Sequence, residues 1–245
     1  MQVSDSALIP EGFGDDAVAT LPTNAVTAFA ALFGAGNFGL PVPGSAPGDD
    51  GKGFDYAAVT LVVIGAGSNV GKLVLQFAKM VGLGRVIAIA SLSGEKELKA
   101  LGATHVVDRY SDDIARDVYA ITNGPDEVTR VMDCVNWTYE LAAGLISSTR
   151  PGTIVTLHQP PTAVAELERL GKTDVKAGIA MGIREYFTDL AGVFWGNIGE
   201  WVAQGKILPG KYRVIEGLDV EKINEALDSY RDGKPVLQAV VHPSG

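Results

Sequence analysis

Apolar residues fall along this chain in two alternating rhythms. Five short runs, at 59–64 (VTLVVI), 85–90 (RVIAIA), 105–108 (HVVD), 128–134 (VTRVMDC) and 152–158 (GTIVTLH), have the near-continuous β-branched character of strands buried on both faces. Between them, apolar residues recur at helical spacing over 72–81, 95–101, 112–121 and 137–147. Gly102 closes the second of these helices, and Asn123-Gly124 ends the third. Strands alternating with helical crossovers predict an α/β fold: a doubly wound parallel sheet covered on both faces. A sixth strand is expected over Val175 to Met181 (VKAGIAM). A long helix follows over 184–204, carrying Phe187, Phe194, Trp195 and Trp201 and stopped by Gly205.

The flanks read differently. Residues 1–22 are polar and punctuated by Gly and Pro, and 24–33 (NAVTAFAALF) reads as a short buried helix. A Gly/Pro-rich stretch over 34–55 is a functional loop or a domain edge. The tail predicts a strand at 212–215, a helix at 220–231 and a strand at 237–241.

Composition adds exclusions. A length of 245 residues suits one large domain or a domain with a small appendage, without a disulfide or metal staple. The formal charge of −9 opposes nucleic-acid binding, and no basic run suggests a membrane surface. No apolar run approaches the ~18 residues of a transmembrane helix, and the first residues lack a signal-peptide pattern. Cys134 is the sole cysteine, so no internal disulfide can form. With three histidines beside it, no structural metal site is expected. These features describe a soluble protein of the reducing cytoplasm.

The clearest chemistry lies in V-V-I-G-A-G-S-N-V-G-K. Gly65, Gly67 and Gly71 stand between a strand and a helix, where missing Cβ atoms permit a tight turn and close approach of a pyrophosphate. The amides of Ser68, Asn69 and Val70, at the positive end of the following helix, would face the phosphates. The spacing is one residue longer than the usual dinucleotide fingerprint. A P-loop is rejected, because Ala66 and Leu73 replace the required Gly and Ser/Thr. An NAD site would carry an acid at the end of the second strand; here the residue is Ser91. Ser91, Ser93 and Lys96 could instead bind a 2′-phosphate, which favours NADP(H). Lys96 could equally be a solvated helix charge and Ser93 an N-cap.

Four segments together resemble the medium-chain dehydrogenase/reductase superfamily. They are LPTNAVTAFAALF (21–33), GAGSNVG (65–71), KELKALGATHVVD (96–108) and EGLDVEKINEALDSYRDGK (216–234). The nearest branch is that of the zinc-free quinone and enoyl reductases of fungal secondary metabolism. The resemblance implies a six-stranded Rossmann domain (23–207) and reduction of enones, enoyl thioesters or quinones by NADPH. It implies that Thr27 approaches the nicotinamide, that Tyr110 joins Ser91 and Lys96 around the adenosine phosphate, and that residues 134–136 and 157–158 face the cofactor. It also implies a homodimer joined through the strand near Val175 to Met181. Only the end of a GroES-like substrate domain is expected, as a vestigial second domain formed by 1–22 and 208–245. The strand at its return is expected to pair with the N-terminal remnant, the main sheet or another chain.

Several residues keep two readings. His158 could act as a general acid or base, or be a hydrogen-bonded structural histidine. Asp133 and Asn136 could bind substrate or cap the next helix. Phe194 and Trp195 could wall an apolar substrate pocket or pack in the core. Cys134 reads as a core residue. The leading function is an NADPH-dependent reductase of an activated C=C or C=O bond in a small molecule. The alternatives are a non-redox cyclase or isomerase of a polyketide-type substrate, using the emptied cleft without cofactor, and a non-catalytic subunit.

Overall fold

The computed structural model describes residues 6–42, 53–158, 163–183, 187–231 and 237–244. Its main sheet holds β1 (Thr60–Ile64), β2 (Arg85–Ala90), β3 (His105–Asp108), β4 (Arg130–Asp133), β5 (Gly152–Thr156) and β6 (Val175–Ile179), ordered β3-β2-β1-β4-β5-β6. Every pairing is parallel, as the doubly wound pattern requires. The strands alternate strictly between two apolar layers. Leu61 and Val63 of β1 join Val86, Ala88, Met132 and Val155 on one face. Val62 and Ile64 join Ile87, Ile89, Val131 and Ile154 on the other. This period of two inside continuous apolar runs is what a sheet covered on both faces produces.

The first face is covered by α2 (Pro22–Phe33), α3 (Asn69–Val81), α4 (Glu95–Leu101) and α8 (Thr188–Ala203). The Phe29 ring centres that layer, with centroids of Phe33, Phe77, Phe194, Trp201 and Phe187 between 4.5 and 6.1 Å away. The second face is covered by α5 (Ile114–Thr122), α6 (Glu140–Leu145) and α7 (Ala163–Arg169). Helix α7 and a short α1 (Asp15–Ala19) were not expected; each is only a turn or two long, too brief for a periodicity to register. Helix α5 starts two residues late because Asp113 caps it, its Oδ1 accepting from Arg116 N–H at 2.9 Å. Residues expected as the start of α6, including Trp137, form a turn instead. The expected start of the long helix at Arg184 lies outside the described residues. Among those residues no helix is long and apolar enough to cross a membrane.

The tail corrects one expectation. Strand β8 (Gln238–His242) pairs in parallel with β7 (Tyr212–Glu216), with Val214 opposite Val240. Its partner is therefore neither the N-terminal segment nor the main sheet. Helix α9 (Val220–Arg231) supplies the crossover that a parallel pair needs. The N-terminal segment meets this ribbon through side chains: His242 Nε2 lies 2.7 Å from Asp16 Oδ1, its Nδ1 3.4 Å from Glu216, and Asn24 Nδ2 donates to Gln238.

Two predictions follow from these contacts. A Cβ on Gly84 would fall 1.8 Å from the Ala57 carbonyl oxygen, where the turn before β1 docks. Gly84→Ala should destabilise by about 2–3 kcal/mol, whereas Gly196→Ala, in open space on α8, should stabilise by about 0.5–1 kcal/mol; urea midpoints test both. The hydrogen bond to Asp16, then the charges of Asp16 and Glu216, raise the His242 pKa above its ordinary 6.5. The clamp is thus complete below that value and is lost as pH rises through the raised one. Amide exchange in α1 and β8 should differ between His242→Gln and the parent at about pH 6 and converge at about pH 9.

Candidate functional site

All six strands end along one edge, and in sheets of this order a ligand crevice opens where the order reverses, between β1 and β4. Strand β1 runs into Gly65, whose φ of +70° suits glycine. A Cβ there would lie 2.4 Å from Val135 Cγ1, so the turn after β4 packs directly on it. A Cβ on Gly71 would lie 2.5 Å from the Gly65 carbonyl oxygen and 2.8 Å from Ala66 Cα, so the first turn of α3 presses onto the strand end. Gly67 meets no atom within 4 Å of such a Cβ and borders open space. Helix α3 begins at Asn69, three residues before its apolar spacing starts, because Ser68 caps it; its Oγ accepts from Gly71 N–H at 3.1 Å. Helix geometry then leaves the amides of Asn69 and Val70 pointing past the helix end, which is anion-binding chemistry. Lys72 is turned elsewhere. Its Nζ pairs with Glu97 at 3.1 Å, as does Lys211. Burial opposes ionisation of Glu97, but the hydrogen bonds and charges of Lys211 and Lys72 prevail and hold its pKa low.

The ends of β2 and β3 carry hydroxyls, the cations Lys96 and Arg109, and Asp108, whose Oδ1 accepts from Tyr110 N–H at 3.1 Å. Ser91 Oγ lies 2.9 Å from Ser93 Oγ. The nearest following acid, Glu95, is paired with Lys99 at 2.7 Å. Lys96 is exposed on the first turn of α4. Tyr110 is 70% exposed, and the Arg109 guanidinium lies over its ring, 4.6 Å from the centroid, while also donating to the Tyr110 hydroxyl. Arg109 N–H bonds the Ala90 carbonyl, which holds it beside the end of β2. Sequence reasoning missed this arginine; its signal was the R-Y pair directly after HVVD.

The β4 end is organised by Asp133, which is 1% exposed. Its Oδ1 accepts from the Val135 and Asn136 amides at 3.0 Å, and its Oδ2 accepts from Asn136 Nδ2 at 2.9 Å. It caps this turn and not the helix that follows. Cys134 is buried, and burial, then the Asp133 charge, pushes its pKa far up, so it is no nucleophile. Beside this turn, His158 follows β5, and its ring stacks on Trp137 with centroids 3.7 Å apart and planes 15° apart.

Three further site candidates are Thr27, Phe194 and Trp195. Thr27 is 5% exposed; its hydroxyl donates to the Thr23 carbonyl at 2.7 Å, and the Gly182 backbone closes over it. Phe194 is fully buried beside Phe29. Phe194 and Trp195 do border an apolar cavity of about 100 Å³, but it lies between the N-terminal segment and α8, lined also by Leu8, Val18 and Leu21. That is below the ~300 Å³ of common ligand pockets, and Trp195 also lines an open groove of about 550 Å³ with Leu8, Ile9 and Gly199. A larger cleft of about 450 Å³ opens at the opposite edge of the sheet. Its Tyr119 and Lys172 already bond the last carbonyls of α6, including Ile146 at 2.7 Å, so it closes a helix end.

A doubly wound sheet whose first strand turns through close-packed glycines into a helix start has the Rossmann-type arrangement. Residues 69–187 match the family model of zinc-binding dehydrogenases. An alcohol dehydrogenase of Schizosaccharomyces pombe is 37% identical over 106 residues, covering 42% of this chain and 29% of that protein. A dual trans-enoyl reductase/FAD-dependent monooxygenase of Aspergillus terreus is 26% identical over 210 residues, covering 81% of this chain and 28% of that protein. The chain thus spans under a third of the length of these curated relatives. Among solved structures, a Rhizobium etli protein assigned as a zinc-dependent alcohol dehydrogenase superposes with a TM-score of 0.75 at 21% identity, covering 98% of this chain and 67% of the other. The CurK enoyl reductase gives 0.67 at 20% identity, covering 95% and 64%. Over residues 69–187 the chain is thus similar to the zinc-binding dehydrogenases, and its fold is that of the dehydrogenase and enoyl reductase structures.

A dinucleotide fits this turn, because Gly67 borders open space while the packed Gly65 and Gly71 hold the helix start close to the strand end. Zinc does not fit the described residues: no group of three or more His, Cys, Asp or Glu is placed to hold a metal ion. The turn at β4 depends on Asp133 accepting three hydrogen bonds in a buried place. Asp133→Ala should cost about 2–4 kcal/mol and weaken dinucleotide binding beyond the loss seen for a surface variant such as Asp228→Ala, measured by denaturation and calorimetry.

Proposed function

We propose that this protein is an NADPH-dependent reductase of an activated C=C or C=O bond in an enone, enoyl thioester or quinone. The observation that carries this reading is the pairing of a glycine cradle at β1 with a β2 end that bears Ser91 where an NAD site carries an acid. In this reading the amides of Asn69 and Val70 hold the pyrophosphate, those of Ser68 and Gly71 being bonded within the turn, and Ser91, Arg109 and Lys96 hold the 2′-phosphate, with Tyr110 beside the ribose. The bound cofactor supplies the hydride. The chain's own share is orientation and proton handling. Asn136, fixed by Asp133, presents its remaining amide group at the crevice. His158 holds the proton that the reduced substrate takes up. The enoyl reductase part of the Aspergillus terreus relative's name supports the chemistry. We further assign 1–22 and 208–245 to a substrate-side unit, and the open edge of β6 to a second copy, since an unpaired edge strand favours pairing.

Calorimetry with NADPH and NADH, followed by NADPH oxidation with a panel of enones and quinones, tests the reading. Tight NADPH binding with much weaker NADH binding is expected. Ser91→Asp should lower NADPH affinity at least about tenfold by repulsion of the 2′-phosphate, with NADH affinity held or improved. Failure of both cofactors to bind overturns it, and turnover without any nicotinamide would favour a cyclase or isomerase.

A further inference from the structure

The Trp137–His158 stack is not explained by core packing. Trp137 is 72% exposed, lies outside any helix in the turn that follows β4, and meets a residue that follows β5. An exposed indole on a loose turn would rotate freely; this one is covered on one face by a ring, and the turn that carries it is anchored at its two preceding residues. The Asp133 side chain pins the backbone of Val135 and Asn136 at 3.0 Å. Val135 packs onto Gly65, which ties the turn to the glycine cradle. The His158 ring covers the inner indole face at 3.7 Å, nearly parallel. The outer indole face is thereby presented as a flat, electron-rich surface whose orientation is set before any ligand arrives. A preformed surface avoids the ordering cost that a free side chain would incur on binding.

We propose that the outward face of Trp137, backed by His158, is a stacking platform for a planar, conjugated, electron-poor carbonyl compound, and that it makes an aryl enone or a quinone the preferred substrate class over an aliphatic enone. This rests on the reductase reading for its chemistry but not for its test. Aromatic pairs gain about 0.5–1.5 kcal/mol beyond buried area when offset and parallel, and an electron-poor ring suits an indole face. An aliphatic enone offers little flat area and gains little. The other planar group that could lie on this face is the nicotinamide ring itself, because β4 and β5 end on the same side of the crevice.

The decisive experiment watches Trp137 directly. The indole N–H signal of Trp137 is assigned by its absence in Trp137→Phe, then followed during titration with benzylideneacetone, with ethylideneacetone as the aliphatic counterpart, and with nicotinamide mononucleotide. Benzylideneacetone should shift that signal while ethylideneacetone leaves it in place. Trp137→Leu, a change at an exposed position, should weaken benzylideneacetone binding about tenfold, the change that 1.4 kcal/mol corresponds to, and alter ethylideneacetone binding by less than about twofold. An unmoved Trp137 signal with benzylideneacetone overturns the platform, as does an equal loss for both ketones in Trp137→Leu. A signal shifted by nicotinamide mononucleotide, with benzylideneacetone then excluded, gives the platform to the cofactor ring and overturns the substrate assignment. Absence of NADPH consumption with either ketone would count against the reductase reading alone, because the indole signal is read without turnover.

Discussion

The backbone contact between the first turn of α3 and the end of β1 sets the geometry of the whole strand-end edge. Gly71 sits so close to Gly65 and Ala66 that a single added carbon would lie 2.5 Å from a carbonyl oxygen. A side chain there would push the helix start away from the strand and carry the amides of Asn69 and Val70 with it. Gly65 performs the same service on its other side, where Val135 docks. The two halves of the crevice are thus referenced to one short stretch of backbone. The hydroxyl-rich ends of β2 and β3 lie on one side of it. The Asp133 turn and the Trp137–His158 stack lie on the other.

The parts of this fold that were legible in the sequence are those whose cause is local. Strand β1 is buried along its full length, so its β-branched run could be read without knowing its neighbours. The glycine turn was legible because its function demands glycine at fixed separations. Helix starts were less so, since Ser68 and Asp113 extend or delay them by capping, which apolar spacing does not record. The residues 134–139 continue an apolar-looking run, yet Asp133 takes the amides of Val135 and Asn136 and holds them as a turn. In the tail, strand, helix and strand were legible as elements, but the partner of β8 was not. The same rule that builds the main sheet, a helical crossover between parallel strands, pairs β8 with β7.

The site divides in the same way. What failed to register depends on residues far apart in sequence meeting at the strand ends. Trp137 and His158 are stacked across two strands, and Arg109 reaches the end of β2 from β3. Phe194 shows a choice that periodicity leaves open. A helix rich in aromatics can turn any face inward, and here the Phe29 cluster claims it; periodicity alone does not separate a core face from a pocket wall.

The charge distribution shows how an acidic protein can serve an anionic cofactor. The chain carries a formal charge of −9, and the lysine next to the glycine turn is neutralised by Glu97. Little lysine charge is therefore left for a pyrophosphate at α3, and the attraction must come from oriented amides. Such dipoles are fixed by the Gly71 contact and need no reorganisation when an anion arrives. They act only within about the first helical turn, so they reward correct placement and not mere proximity. The guanidinium of Arg109 is different: it is a full charge at the edge, held against an exposed ring, and salt screens it more readily. In the proposed reading, recognition of a pyrophosphate and recognition of a 2′-phosphate would thus rest on two physical mechanisms. The first is built into the backbone of the fold. The second hangs on a few side chains at the ends of β2 and β3, where cofactor preference can change without disturbing the cradle.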